Sequence, residues 1–210
     1  MLELTELLNK DDPVWHLVKS WIDDAKNSVE VLPARDPDRA NALVATQVTT
    51  RSTMGAIIYE TGGLLIDSGW IRILGSGHPR LPRSLPGWST DRAALSDYFL
   101  VGDDVLGGLF AINGGGLGKN QGNIFYFAPD SLEWEDMGRG YSEFIQWCFS
   151  GDLETFYSGL RWLHWKDDLR SLGGHEAYSI YPPLWSKESS SQECSRKAIP
   201  LAEIYNLYFA

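Results

Sequence analysis

The chain has 210 residues, 43% of them apolar and 22% charged, with a formal net charge of -10. This length supports one domain with a sizeable core, and the mixture is that of a soluble globular protein. The negative field disfavours nucleic acid as a partner and favours a basic protein or a cation.

Two further features bear on location. The opening MLELTELLNKDD has no basic region followed by an apolar one, so it does not read as a signal peptide. No apolar run approaches the ~18 residues of a membrane span. Cys148 and Cys194 fit no disulfide framework and no metal spacing, and read as free thiols of a cytoplasmic protein. The ring content is high, with nine Trp, nine Tyr and eight Phe. Such rings build cores, and Trp is also enriched on binding faces.

In chain order, Asp12 and Pro13 carry a helix-start signal. Val14, Leu17, Val18, Trp21, Ile22, Ala25 and Val29 follow at helical spacing, which predicts a helix ended by Leu32-Pro33. Asp36-Pro37 repeats the signal before a second helix through Ala40, Leu43, Val44 and Gln47. Residues 52–63 admit a strand or a helix. The helix is favoured, with Ser52 as its cap and Gly62-Gly63 as its terminator. Residues 64–66 and 70–74 read as a hairpin around Asp67-Ser68-Gly69.

Residues 75–88 (GSGHPRLPRSLPGW) hold three prolines and three glycines and are expected to form a long surface loop. Strands are expected at residues 96–101, 108–113, 123–128 and 132–137. A helix with Tyr141, Phe144, Ile145, Cys148 and Phe149 on one face follows. Asp152 caps another helical run reaching Leu163. Residues 173–192 are expected to be irregular, with the polar run SKESSSQE the most mobile part. A last helix should span residues 200–209. One sheet, mostly antiparallel, should unite residues 64–66, 70–74, 108–113 and 123–128.

The glycine cluster from Gly114 to Gly118, with Lys119 and Asn120, is not a phosphate loop. Asn113 and Asn120 stand where that motif needs Gly and Ser or Thr, and a strand follows instead of a helix. No phosphate is expected there, and no zinc anywhere, since His16, His78, His164 and His175 show no ligand spacing. No cofactor is implied. Arg72, His78, Arg80 and Arg83 form the densest basic neighbourhood. They bind an anion or partner, or they tie the loop down by bonding carbonyls and acids. Asp103-Asp104 and Asp167-Asp168 read as turn or strand-end acids in solvent. Glu133 and Glu135 would share one strand face with Trp134 on the other, an acidic docking surface for a basic partner. Trp162 and Trp165, interleaved with Arg161, His164 and Lys166, read as helical packing.

Two stretches carry a resemblance. Residues 62–85 (GGLLIDSGWIRILGSGHPRLPRSL) and 123–135 (NIFYFAPDSLEWE) resemble a bacterial family of domains of unknown function. The order of elements over about residues 50–150 resembles, more distantly, the SUKH superfamily of Smi/Knr-like immunity proteins. It runs from the Met54–Leu74 stretch through Gly102-Asp103, Gly107-Gly108-Leu109-Phe110 and Ile124-Phe125-Tyr126 to the helix with Phe144 and Ile145. That resemblance implies an α+β domain with a mainly antiparallel sheet flanked by helices, protein binding and no catalysis. Residues 75–88 then read as an insertion, and residues 159–210 as an irregular, aromatic-rich extension. The expectation is a single domain over residues 1–210, with N-terminal helices in 1–50. It would act as a non-catalytic interaction module of antitoxin or immunity type, with a basic, toxin-like protein as partner. The alternative is a small-molecule-binding protein or hydrolase with a carboxylate-lined pocket.

Overall fold

The computed structural model describes residues 1–9, 11, 13–92, 97–187 and 194–209. The expected cap Asp12, the strand start at Ser96 and residues 188–193 of the polar run lie outside these. The chain opens with α1 (Leu4–Leu7) and α2 (Trp15–Asp23), then β1 (Val29–Pro33), α3 (Asp38–Thr46) and α4 (Thr53–Glu60). β2 (Thr61–Ile66), β3 (Ile71–Leu74), α5 (Leu85–Arg92), β4 (Tyr98–Asp104), β5 (Leu109–Asn113), β6 (Ile124–Ala128) and β7 (Glu133–Asp136) follow. The C-terminal part holds α6 (Tyr141–Ser150), α7 (Leu153–Phe156), α8 (Trp165–Leu169), β8 (Glu176–Tyr181), β9 (Ser195–Pro200) and α9 (Leu201–Phe209).

β1 to β7 form one seven-stranded sheet in sequential order, every neighbouring pair antiparallel. This is the expected α+β fold, and all four predicted core strands lie in that sheet. The two-residue period sends alternate side chains to opposite faces. Phe110 and Tyr126 pair across β5 and β6 and stack on one face, where Phe144 of α6 and Phe156 of α7 meet them. Phe127 and Trp134 occupy the other face, against Tyr208 and Phe209 of α9. Both faces are therefore covered, which is why strands such as β3 and β6 are buried along their whole length.

Several boundaries differ from the sequence reading, each for a tertiary reason. The apolar spacing through Val29 predicts a longer α2, yet the helix stops at Asp23. The Lys26 and Asn27 amides donate to the Phe149 carbonyl at 3.0 and 2.9 Å, and the Asn27 side chain donates to Cys148 and Gly151 carbonyls. These bonds peel the chain off the helix and deliver Val29 into a strand. Ser52 does cap α4, its hydroxyl accepting from the Gly55 amide at 3.0 Å. Gly62 and Gly63, however, belong to β2. A Cβ on Gly62 would sit 2.8 Å from the Gly77 carbonyl oxygen, so glycine there serves close packing of strand on loop. The loop after β3 ends earlier than expected, at α5, whose early Pro86 is tolerated because first-turn amides lack helical partners.

α7 is a single turn, and Gly159 at φ 78° ends any continuation towards Leu163, which is 73% exposed. Residues 176–181 are a strand, not irregular chain. β8 pairs with β9 over six registered residues in a small separate sheet. Gly102 and Asp103 lie inside β4. Both cysteines are free and buried, and burial pushes the Cys148 thiol up.

Candidate functional site

The site is built on the middle of β3 and β4. Arg72 and Asp103 are registered partners across these strands, and both are buried, at 2% and 0% exposure. Arg72 Nε donates to Asp103 Oδ1 at 2.5 Å, Nη1 to the Glu176 carbonyl at 2.5 Å and Nη2 to the Asp104 carbonyl at 3.0 Å. Arg83, from the proline-rich loop, bonds the same carboxylate through Nη1 and Nη2 and donates from Nη2 to the Gly174 carbonyl at 2.8 Å. Its guanidinium also lies 4.9 Å from the Trp88 ring centroid. Burial lowers the Arg72 pKa, and the Asp103 charge opposes it. Of the two uses open to Arg72 and Arg83, the structure shows tying down. They fasten the loop, β4 and the chain around residues 174–176 to one buried carboxylate. Gly174 is part of this closure, because a Cβ there would sit 1.9 Å from the Arg80 carbonyl oxygen.

Asp104 points to the opposite face of the sheet, as the period of two requires. It too is fully buried, so neither acid of this pair is the solvated strand-end charge that its position in the sequence predicts. Burial raises the Asp104 pKa. Four donors pull it back: Tyr126 and Tyr157 hydroxyls at 2.7 and 3.1 Å, and the Leu106 and Gly108 amides at 2.8 and 2.9 Å. Every one of these bonds satisfies a buried polar group and locks the β4–β5 turn.

Above Arg72 the structure opens into a cleft of about 800 Å³. Its sheet side is made by Ser28, Val29 and Glu30 at β1, by Leu65 and by Arg72. One wall is the proline-rich loop, through Pro79 and Arg80, and the other is α8 and the turn after it, through Lys166, Leu169, Arg170 and His175. Among the described lining residues the cations are Arg72, which is bonded to Asp103, and the exposed Arg80, Lys166 and Arg170, and the one carboxylate is Glu30. An acidic protein thus carries a cationic cleft. Arg80 forks onto Glu30 and holds that carboxyl below its usual range. Lys166 stands 3.9 Å from Asp67, and Arg170 3.3 Å from Asp167. The side chains of Arg80, Lys166 and Arg170 are 57%, 61% and 80% exposed. Ion pairs so open to water are worth ~0–1 kcal/mol, so an incoming anion can take these cations from their present partners at little cost.

α8 is placed by rings. Trp70, fully buried in the turn between β2 and β3, meets Tyr157, Trp162 and Trp165 at centroid distances of 5.3, 5.6 and 4.9 Å. Arg161 caps this group, 5.0 Å from the Trp70 ring centroid, and is paired with Asp67 at 2.5 Å. The interleaved Trp residues do pack, but only Trp165 and Lys166 do so from a helix; Arg161 and Trp162 lie in irregular chain before α8, and Lys166 lines the cleft.

The remaining sequence candidates fall elsewhere. His78 closes the loop on itself, its Nδ1 accepting from the Arg80 amide at 3.1 Å, and it is not among the lining residues. Glu133 and Glu135 are exposed on β7, the far terminal strand of the sheet. Trp134 between them is partly buried, 5.2 Å from Tyr98 and 5.3 Å from Phe127. Four amides of the glycine loop, those of residues 114 to 117, are occupied within the chain. Asn113 Oδ1 accepts from Gly115 and Leu117, and the Asp97 carbonyl accepts from Gly114 and Gly116. Among the described residues, no three His, Cys, Asp or Glu side chains are placed to hold a metal ion, and no helix is long and apolar enough to cross a membrane. Lys166, Arg170 and His175 are not recognisable as site residues from the sequence because they lie 86 or more residues from Arg80 of the loop. The alternation of Trp with basic residues was their one visible signal.

Fold and site together define an α+β protein with a sequential antiparallel sheet and a cation-lined cleft over its first strands. Over residues 4–204 the chain matches DUF2625, a protein family of unknown function, and it belongs to that family. It is 45% identical over 211 residues to the uncharacterised protein YbfG of Escherichia coli K12, covering all of this chain and 96% of the relative. It is 38% identical over 216 residues to an uncharacterised protein of Haemophilus influenzae, covering all of this chain and 95% of the relative. No solved structure matches the chain.

Proposed function

We propose that this protein is an interaction module whose working surface is the cationic cleft, taking an anionic ligand. One observation carries the reading. A cleft of about 800 Å³ gathers exposed cations from the proline-rich loop and from α8, while Asp103 and Asp104 are bonded into the core, Glu133 and Glu135 stand apart on β7, and Glu30, the one carboxylate among the described lining residues, is held by Arg80. A hydrolase site would need acids converging on the cleft. A nucleic-acid groove would need rings for stacking, and no Phe, Tyr or Trp is among the described lining residues. Amide chemical-shift mapping tests this. Polyglutamate should perturb residues 28–30 and 166–175 first, and perturbations confined to other surfaces would overturn the reading. Stronger effects from polyuridylate would do the same.

A second surface is favoured by a specific observation. Glu133 and Glu135 project side by side from a terminal strand that Trp134 anchors through Tyr98, Phe127 and Phe209. This fits a basic protein, and with the SUKH-like stretches of the sequence it gives the module an antitoxin or immunity form. Exposed charges of this kind chiefly raise the association rate. The double variant Glu133→Gln/Glu135→Gln should slow capture of a basic partner and flatten its salt dependence without altering thermal stability. An on-rate that ignores both salt and the double substitution would remove this surface from consideration. Because Trp134 is only partly buried, Trp134→Ala should cost less than the ~3–5 kcal/mol of a fully buried ring.

A further inference from the structure

We infer that the cleft binds an extended acidic segment of another protein, with carboxylates on alternate residues meeting Lys166 and Arg170. This rests on the cleft reading above and adds the ligand's chemical class and conformation.

Spacing is the first argument. Lys166 and Arg170 are four residues apart, and Arg170 keeps helical backbone angles at the end of α8 (φ -62°, ψ -26°). Side chains so spaced project from one helix face roughly 5–6 Å apart. In an extended chain, residues i and i+2 point the same way and lie about 6.6–6.8 Å apart. Two acids in an alternating pattern therefore match the two cations, while adjacent acids point to opposite sides. The residue between them faces the sheet side of the cleft, where Leu65, on the same face as Glu30 and Arg72, provides apolar surface.

The second argument is the backbone. Among the described residues, β1 is the terminal strand of the sheet and pairs with β2 alone. Ser28, Val29 and Glu30, at its start, line the cleft. A terminal strand offers amide and carbonyl groups to an incoming extended segment, and main-chain bonds then supply affinity while side-chain contacts supply selectivity. β7, at the other end of the sheet, is guarded by Glu133, Glu135 and Asp136, so the two terminal strands differ in charge as well as position. The third argument is dispersal. A small phosphate or dicarboxylate is best held by donors converging on one point. Here the exposed cations come from separate segments, Arg80 from the loop and Lys166 and Arg170 from α8, and each lies by its own carboxylate, Glu30, Asp67 or Asp167, instead of converging on one point, an arrangement suited to an elongated anion.

The experiment uses the full chain and an array of immobilised ten-residue peptides. One set carries Glu at alternate positions among varied apolar residues. The comparison sets carry the same residues with Glu paired at i, i+1 or i, i+4. The best peptide is then measured in solution by fluorescence anisotropy, beside calorimetry with inorganic phosphate and with succinate. The alternating set should dominate. Lys166→Gln/Arg170→Gln should weaken the best peptide by about three- to tenfold and reduce its salt dependence, the size expected of two solvent-facing ion pairs. Thermal stability of the double variant should stay at the parent value, since both side chains are exposed. No preference for alternation, or binding that ignores the double substitution, overturns the inference. Phosphate or succinate binding that the double variant abolishes, without peptide binding, also overturns it but leaves the anion-binding cleft standing. Failure of all three ligands overturns both.

Discussion

Asp103→Ala is expected to destabilise the protein by about 3–5 kcal/mol, enough to remove much of a typical domain's folding free energy. The carboxylate is fully buried and accepts from two buried guanidiniums, Arg72 at 2.5 Å and Arg83 through both terminal nitrogens. Its removal leaves two positive charges, at 2% and 9% exposure, without their counter-charge. The loss comes from that uncompensated charge, not from any large intrinsic value of the ion pairs. Replacing the whole group with apolar residues of similar volume, Arg72→Met, Asp103→Leu and Arg83→Met together, should therefore cost far less than the single change, or nothing. Urea unfolding of the two variants checks this. A single substitution costing under about 1 kcal/mol would show that water reaches and solvates the arginines. The triple variant should still fold yet lose the bonds to the Glu176 and Gly174 carbonyls, which hold the cleft's wall and floor together.

Trp70→Ala should cost a similar ~3–5 kcal/mol, through a different mechanism. The ring is completely buried and is the shared contact of Tyr157, Trp162 and Trp165. Its truncation leaves a cavity whose walls are themselves large rings with little freedom to collapse. Its indole nitrogen has no hydrogen-bond partner among the described residues, so Trp70→Phe removes an unpaired donor along with some packing and should be much milder than the alanine change. The functional consequence follows from position. Trp165 begins α8, so the alanine variant should also loosen the helix that carries Lys166 and Arg170 and weaken anion binding beyond any global loss of stability. Hydrogen exchange of the 165–170 amides, compared with those of β5 and β6, separates local from global loosening. Equal acceleration in both would count against Trp70 as the support of α8.

The fold was largely legible along the chain, and the reasons are local. β5 and β6 are short apolar runs bounded by glycine-rich connections, and α6 has five buried residues at helical spacing. Consecutive short strands of this kind pair with their neighbours, so a sequential antiparallel sheet follows without knowledge of distant contacts. Where the reading failed, a distant partner had overridden a local preference. Val29 has helical spacing with Trp21 and Ile22, but bonds to the far end of α6 make it a strand. Residues 176–181 are rich enough in rings and apolar side chains for a strand, but their partner β9 begins 14 residues beyond Tyr181, past Pro182-Pro183 and a polar run, so no local hairpin signal marks them.

The site was much less legible. By itself the sequence determined an acidic chain, an α+β architecture, an arginine-bearing loop after β3 and the absence of the phosphate-loop residues between 113 and 120. Each depends on composition, periodicity or a motif read within a dozen residues. Only the tertiary structure decided which charges do which work. It buried Asp103 between Arg72 and Arg83 and set Asp104 against two tyrosines on the other face. It also seated α8 on a cluster of tryptophans, so that Lys166 and Arg170 line the same cleft as Arg80. Burial and pairing are properties of where a side chain ends up. For residues 30 to 100 positions apart, that is settled by the close packing of both faces of the sheet, which no local pattern records.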